Sequence, residues 1–203
     1  MKERIIHKAT DLFLRLGVKS VTMDDIAQEL AISKKTIYTH FKNKTELIKE
    51  CAWFMLDNIT SGIDEICALD INPIEELFQI KKFIMQKLKD EHTSAQYQLN
   101  KYYPEISARI HKSQLAKMLE STQKNIKKGI EQGLYRKNLD SDFISRLYFM
   151  GITNIHDQAL FPIEKFSSKY RAEEYLEYHL RGIVTPEGLM TLNKYLKEHH
   201  TND

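Results

Sequence analysis

Apolar residues recur at helical spacing from the first turn of the chain. Ile5, Ile6, Ala9, Leu12, Phe13 and Leu16 line one face of a helix over residues 2–16. Gly17 follows, and a glycine there predicts a left-handed C-cap. The next stretch is short and densely punctuated. Thr22 stands before Met23 to Leu30, where its hydroxyl can cap free N–H groups and Asp24 and Asp25 suit the positive helix end. Leu30-Ala31-Ile32 breaks the pattern. Ser33 caps a second short helix, Lys34 to Phe41, and Asn43 precedes a third start at Lys44.

From Leu47 onward the helical periods lengthen and the turn signals spread out. One long helix is expected from Lys44 to about Leu69, and Asn72-Pro73 opens the next, ending near Asp90. His92-Thr93 starts a shorter helix that stops before Pro104, because the residue before proline avoids the α region. Further helices are expected from Pro104 to Gln132, with Gly133 as stop, and from Asp140 or Ser141 to Leu160, broken by Phe161-Pro162. Ser167 or Ser168 caps a helix to about Val184. Thr185-Pro186 caps the last, to about His199, and Thr201-Asn202-Asp203 frays. The pattern predicts an all-α fold. A three-helix head, residues 1–45, precedes a larger helical body, residues 46–203.

Composition agrees. The 203 residues are 42% hydrophobic and 29% charged, with only seven Gly and four Pro to interrupt helices. Residues 1–50 carry ten Lys/Arg against seven Asp/Glu, and the rest carry twenty against twenty-one. A mildly basic head suits a phosphate partner, although ordinary solvated charge accounts for the count equally well. No apolar run reaches the roughly 18 residues of a membrane span, and the N-terminus lacks a signal-peptide core, so a cytoplasmic location is expected. On one helix, Cys51 and Cys67 would stand roughly 24 Å apart, at about 1.5 Å per residue. A disulfide needs Cα atoms within about 7 Å, so both read as reduced thiols. No metal-ligand, nucleotide-binding or nucleophile motif is found, and no cofactor, catalytic residue or metal site is expected. Adjacent residues on a helix point apart, so neither His156-Asp157 nor His199-His200 chelates on its own.

Two short helices joined by a turn of three or four residues make a helix-turn-helix. Ile26, Ala27 and Leu30 pack from one helix, and Ile32, Ile37 and Phe41 from the other. Lys34, Lys35, Thr36, Tyr38 and Thr39 are left facing outward. That face can offer ammonium to guanine edges, methyl to thymine and hydroxyl to phosphate. Lys44 sits at the next helix start, where backbone N–H groups attract phosphate. Tyr38 also fits a core aromatic, His40 a packing or capping role, and Lys42 a solvated charge.

The string Thr22-Met23-Asp24-Asp25-Ile26-Ala27-Gln28-Glu29-Leu30-Ala31-Ile32-Ser33-Lys34-Lys35-Thr36-Ile37-Tyr38-Thr39-His40-Phe41-Lys42-Asn43-Lys44-Thr45-Glu46-Leu47 resembles the N-terminal domain of the TetR family of bacterial regulators. The likeness begins at Ile5 and covers about the first fifty residues. It implies a sequence-specific DNA-binding transcriptional regulator, usually a repressor, whose partner is double-stranded operator DNA. By the resemblance, Lys34, Lys35, Thr36 and Thr39 fall at positions that meet base edges or nearby backbone. Tyr38, His40 and Lys44 fall at phosphate contacts. Ala31 occupies a turn position often held by Gly, and Lys35 replaces a smaller residue.

For the body the resemblance implies an all-helical homodimer enclosing a small-molecule cavity. Ile144, Leu147, Tyr148, Gly151 and Ile155 form one stripe, and Ala172, Leu176, Leu180 and Ile183 another. Together they are expected to form a four-helix dimer interface, with an intrachain core as the competing reading. Tyr97, Tyr103 and Tyr148 are the candidate ligand-binding residues for an apolar or aromatic effector, because a buried phenol needs a partner. The competing reading is a helical interaction protein without sequence-specific DNA binding.

Overall fold

A computed structural model describes residues 1–88 and 92–200, leaving aside the side chains of Leu88, His92, Thr93, Ser94 and His200. The expected helix end near Asp90, the capping role of His92-Thr93, the His200 side chain and the frayed 201–203 lie outside the described residues. Ten helices make up the described chain, in the order α1 (Lys2–Leu16), α2 (Met23–Glu29), α3 (Lys34–Tyr38), α4 (Lys44–Cys67), α5 (Pro73–Leu88), α6 (His92–Tyr102), α7 (Pro104–Glu131), α8 (Ser141–Asn154), α9 (Ser168–Ile183) and α10 (Pro186–His200). The fold is all-α, as the periodicity requires. An isolated antiparallel bridge joins Tyr135 to Val184.

Two compact units hold these helices. Met1–Ser61 with Lys87–Gln114 form the first, and Gly62–Gln86 with Leu115–Asp203 the second. The first unit therefore takes in more than residues 1–45. Its core joins Ile5, Ala9, Leu12 and Phe13 of α1 to Ile26 of α2, Ile37 of α3, Leu47 and Ile48 of α4, and Leu99 of α6. Leu99 enters because α6 packs along α1.

The second unit closes on Ile74, Leu77 and Phe78 of α5, Tyr148 of α8, Leu176 and Leu180 of α9 and Leu192 of α10. A buried polar network crosses that core. Glu76 is 3% exposed. Its carboxylate accepts from Asn125 Nδ2 at 2.7 Å and from Lys128 Nζ at 2.9 Å, and Tyr135 donates to Asn125 Oδ1 at 3.1 Å. The charge tolerates burial because it is paired and its oxygens are occupied. The Cys51 and Cys67 thiols are free. Burial pushes Cys51 up to about 12 and, with the Glu76 charge as a second cause, Cys67 up to about 11. Both therefore resist forming the nucleophilic thiolate.

Three expectations are corrected. The α3 helix stops at Tyr38, not Phe41, because its last turn tightens: the N–H groups of His40 and Phe41 both donate to the Ile37 carbonyl, each at 3.0 Å. The α8 helix stops at Asn154, not Leu160. Asp157 accepts from the Ala159 N–H at 2.8 Å, and the Arg171 guanidinium donates to the carbonyls of Ile155 and Phe161. These side-chain bonds offer the backbone an alternative to helix. Finally, the stripe Ala172, Leu176, Leu180 and Ile183, with Tyr148 and Ile155, is buried within the chain. It is intrachain core. The apolar residues left exposed on these two helices are Phe143, Leu147 and Met150 of α8 and Tyr170 and Tyr178 of α9.

Candidate nucleic-acid interface

The helix-turn-helix is built from reciprocal caps. Thr22 Oγ1 accepts from the Asp25 N–H at 3.2 Å, while the Asp25 carboxylate accepts from the Thr22 N–H at 2.7 Å. That backbone bond from Thr22 is the main reason the Asp25 carboxyl lies below its usual range. At the end of α2 the chain turns sharply. The Ile32 N–H donates to the Ala27 carbonyl at 3.0 Å, and Ala31 takes φ 53°. Among the described residues Ala31 is the one non-glycine in the left-handed region. An alanine at this position carries the strain of a left-handed L-residue.

Ser33 Oγ accepts from the Thr36 N–H at 3.0 Å and starts α3. Ile37 and Phe41 are buried. Their opposite face leaves Lys34, Lys35, Tyr38, Thr39 and His40 exposed and Thr36 half-buried. Tyr38, 45% exposed, is not a core aromatic. The Lys34 ammonium is already engaged, 2.7 Å from the Asp24 carboxylate, and that bond raises its pKa. The Thr39 hydroxyl donates to the Thr36 carbonyl at 2.7 Å, which satisfies the helix end. Sequence reasoning missed the Lys34–Asp24 pair, because ten residues and a turn separate its partners.

Asn43 Oδ1 accepts from the Glu46 N–H at 2.9 Å and so starts α4. Glu46 in return accepts from the Lys42 N–H at 2.6 Å. Lys44, at the first position of α4, is half-buried. Its ammonium donates to the Lys19 carbonyl at 3.3 Å. Burial first, and the nearby Lys19 charge second, push its pKa down. A phosphate placed beside these two like charges would relieve their repulsion.

The three candidate ligand-binding tyrosines fall in different places. Tyr97 is 60% exposed on α6, with the Lys101 ammonium 5.5 Å from its ring centre. Tyr103 is half-buried against the core of the first unit. Tyr148 is buried in the second unit, stacked on Tyr175 and tilted against His179. Burial raises the phenol pKa of both Tyr103 and Tyr148.

The sequence profile of bacterial regulatory proteins of the tetR family matches residues 5–51, the span that builds this interface. The transcriptional regulator YhgD of Bacillus subtilis is 32% identical over 135 residues, covering 66% of this chain and 69% of that protein. This chain belongs to the TetR family. The transcriptional repressor KstR2 of Mycolicibacterium smegmatis is 24% identical over 195 residues, 92% of each chain. A transcriptional regulator from Cytophaga hutchinsonii superposes with a TM-score of 0.75 at 18% identity, over 90% of this chain and 98% of that one. At that identity the superposition shows the shared fold. As a TetR-family member the protein is a DNA-binding transcriptional regulator. Among the described residues no helix is long and apolar enough to cross a membrane.

Proposed function

We propose that residues 1–45 set the outer face of α3 in the major groove of operator DNA. In this reading Lys34, Lys35, Thr36 and Thr39 address base edges and adjacent backbone, while Tyr38, His40 and Lys44 hold phosphates. The observation that carries it is the division of α3: Ile37 and Phe41 anchor one side, and the basic, hydroxyl-bearing side keeps Lys34, Lys35, Tyr38, Thr39 and His40 exposed with Thr36 half-buried. Lys34 must exchange Asp24 for DNA, so part of its contact is offset by the lost ion pair.

A homodimer supplies two such helices. Phe143, Leu147 and Met150 recur at i, i+4 and i+7 on α8, and Phe143 and Tyr178 are 62% and 78% exposed. Such an apolar face is costly to leave in water, and pairing α8 and α9 with a second copy covers it in a four-helix arrangement. The two heads would then meet half-sites about 34–36 Å apart, or a multiple of that. The body, residues 46–203, carries dimerisation and an effector site for an apolar or aromatic small molecule. The effector shifts the population of head spacings by preferring one of them, and α4, unbroken from Lys44 to Cys67, belongs to both units and carries the shift. Repression in the cytoplasm is the mode that fits, since relatives such as KstR2 are named repressors.

Selecting bound sites from random duplex DNA tests the reading. Enrichment of one near-palindromic motif supports it. Recovery of a pool indistinguishable from the input overturns it.

A further inference from the structure

A second basic surface lies on the unit that carries α3. We propose that Lys19 and Lys101, held by Tyr97 and Tyr102, form an auxiliary clamp on the DNA phosphate backbone outside the helix-turn-helix. The inference rests on the operator-binding reading and extends its footprint to α6.

The geometry is a continuous chain of contacts. Lys19 follows α1, and its carbonyl accepts from the Lys44 ammonium. Its own ammonium stands 4.8 Å from the centre of the Tyr102 ring. The Lys101 ammonium stands 5.5 Å from the centres of both Tyr102 and Tyr97. Tyr97 and Tyr102 are 60% and 43% exposed. All five residues belong to the first unit.

Among the described residues no carboxylate forms an ion pair with Lys19 or Lys101. Tyr97 and Tyr102, not acidic groups, are what raise the proton affinity of Lys101. Asp25 is the acidic group felt by Lys44, and it is held by Thr22. Exposed lysines normally roam, and fixing one costs side-chain entropy. Here the aromatic faces hold both ammonium groups near defined positions. The phenol hydroxyls add donors suited to phosphate oxygens. A fixed cationic pair without an ion-pair partner among the described residues, continuous with Lys44, fits the polyanion that the proposed function sets against Lys44, the operator duplex.

The test titrates wild-type protein, Lys19→Ala, Lys101→Ala, Lys101→Arg and the second-unit control Lys194→Ala against a duplex carrying the site selected by the wild type, across a series of salt concentrations. Each phosphate contact contributes about 0.9 to the slope of log affinity against log salt. The expected result is a slope shallower by about that amount per head in Lys19→Ala and Lys101→Ala, restored in Lys101→Arg and unchanged in Lys194→Ala. All three positions are exposed, so these variants keep the core intact. An unchanged slope in both alanine variants, or an equal loss in Lys194→Ala, overturns the clamp while leaving the helix-turn-helix reading standing. Failure of the wild type to enrich any site overturns both.

Discussion

The side-chain oxygen of Gln98 accepts the Lys19 backbone N–H at 2.8 Å. This bond ties α6 to the turn that leaves α1, and the carbonyl of the same Lys19 holds the Lys44 ammonium. Gly17 makes the approach feasible. It takes φ +85°, and a Cβ there would sit 2.4 Å from Gln98 Nε2.

Removing the Gln98 amide leaves the Lys19 N–H without this acceptor. Gln98→Ala should cost about 1 kcal/mol of stability in urea unfolding. It should also weaken DNA binding, since Lys19 and Lys44 lose a common support. Unchanged affinity would show that the turn holds Lys44 without help from α6.

Ala31 stores strain at the centre of the helix-turn-helix. A left-handed L-residue costs roughly 1–2 kcal/mol, and glycine returns part of that through the looser unfolded chain, about 0.4–1 kcal/mol. Ala31→Gly should therefore raise stability by about 0.5 kcal/mol, read as a higher urea midpoint at constant slope. A lower midpoint would mean that the turn's other bonds already absorb the strain.

His179 gives the second unit a pH signature. It is 8% exposed, its Nε2 has no hydrogen-bond partner among the described residues, and burial pushes its pKa down to about 4 from the ordinary 6.5. The unfolded chain binds this proton more readily than the folded one. Stability is then full above about pH 6.5 and falls toward pH 4, by about 3 kcal/mol in all. Comparing unfolding free energies of wild type and His179→Phe across that range isolates the effect, because carboxylates titrate in both. Parallel curves would contradict it.

The exposed face of α8 should hold two copies together. Phe143→Asp places charge on a residue that is 62% exposed in the single chain, so the fold is kept while association is opposed. Sedimentation equilibrium should show a wild-type dimer and a largely monomeric variant. A wild-type monomer at working concentration, or an unaltered dimer in Phe143→Asp, would place the interface elsewhere.

Where local signals agree, the sequence is easily read. Gly17, Thr22, Ser33 and Asn43 each mark a helix boundary that the structure keeps, because capping is a contact between residues three or four apart. The outward positions of Lys35, Tyr38 and Thr39 follow from the burial of Ile37 and Phe41. Long-range partners leave no such trace. Arg171 ends α8 from 16 residues away, and Gln98 reaches Lys19 across 79. The apolar stripe of α9 looks the same whether it faces the core or a second chain. Only the packed positions of Leu176 and Leu180 decide that it faces the core. Tyr97 and Tyr148 are equally aromatic in sequence, and tertiary packing alone makes one a surface group and the other buried.

Repeating the random-DNA selection with wild type, Thr36→Ala and Lys44→Ala tests the central claim most directly. Thr36 keeps its backbone N–H on Ser33 after the substitution, so α3 keeps its start. The wild type should enrich one near-palindromic motif. Thr36→Ala should enrich a motif altered at one or more half-site positions, and Lys44→Ala should enrich the wild-type motif with affinity lowered across all sequences. Equal wild-type affinity for the enriched site and for random duplex would contradict sequence reading by α3.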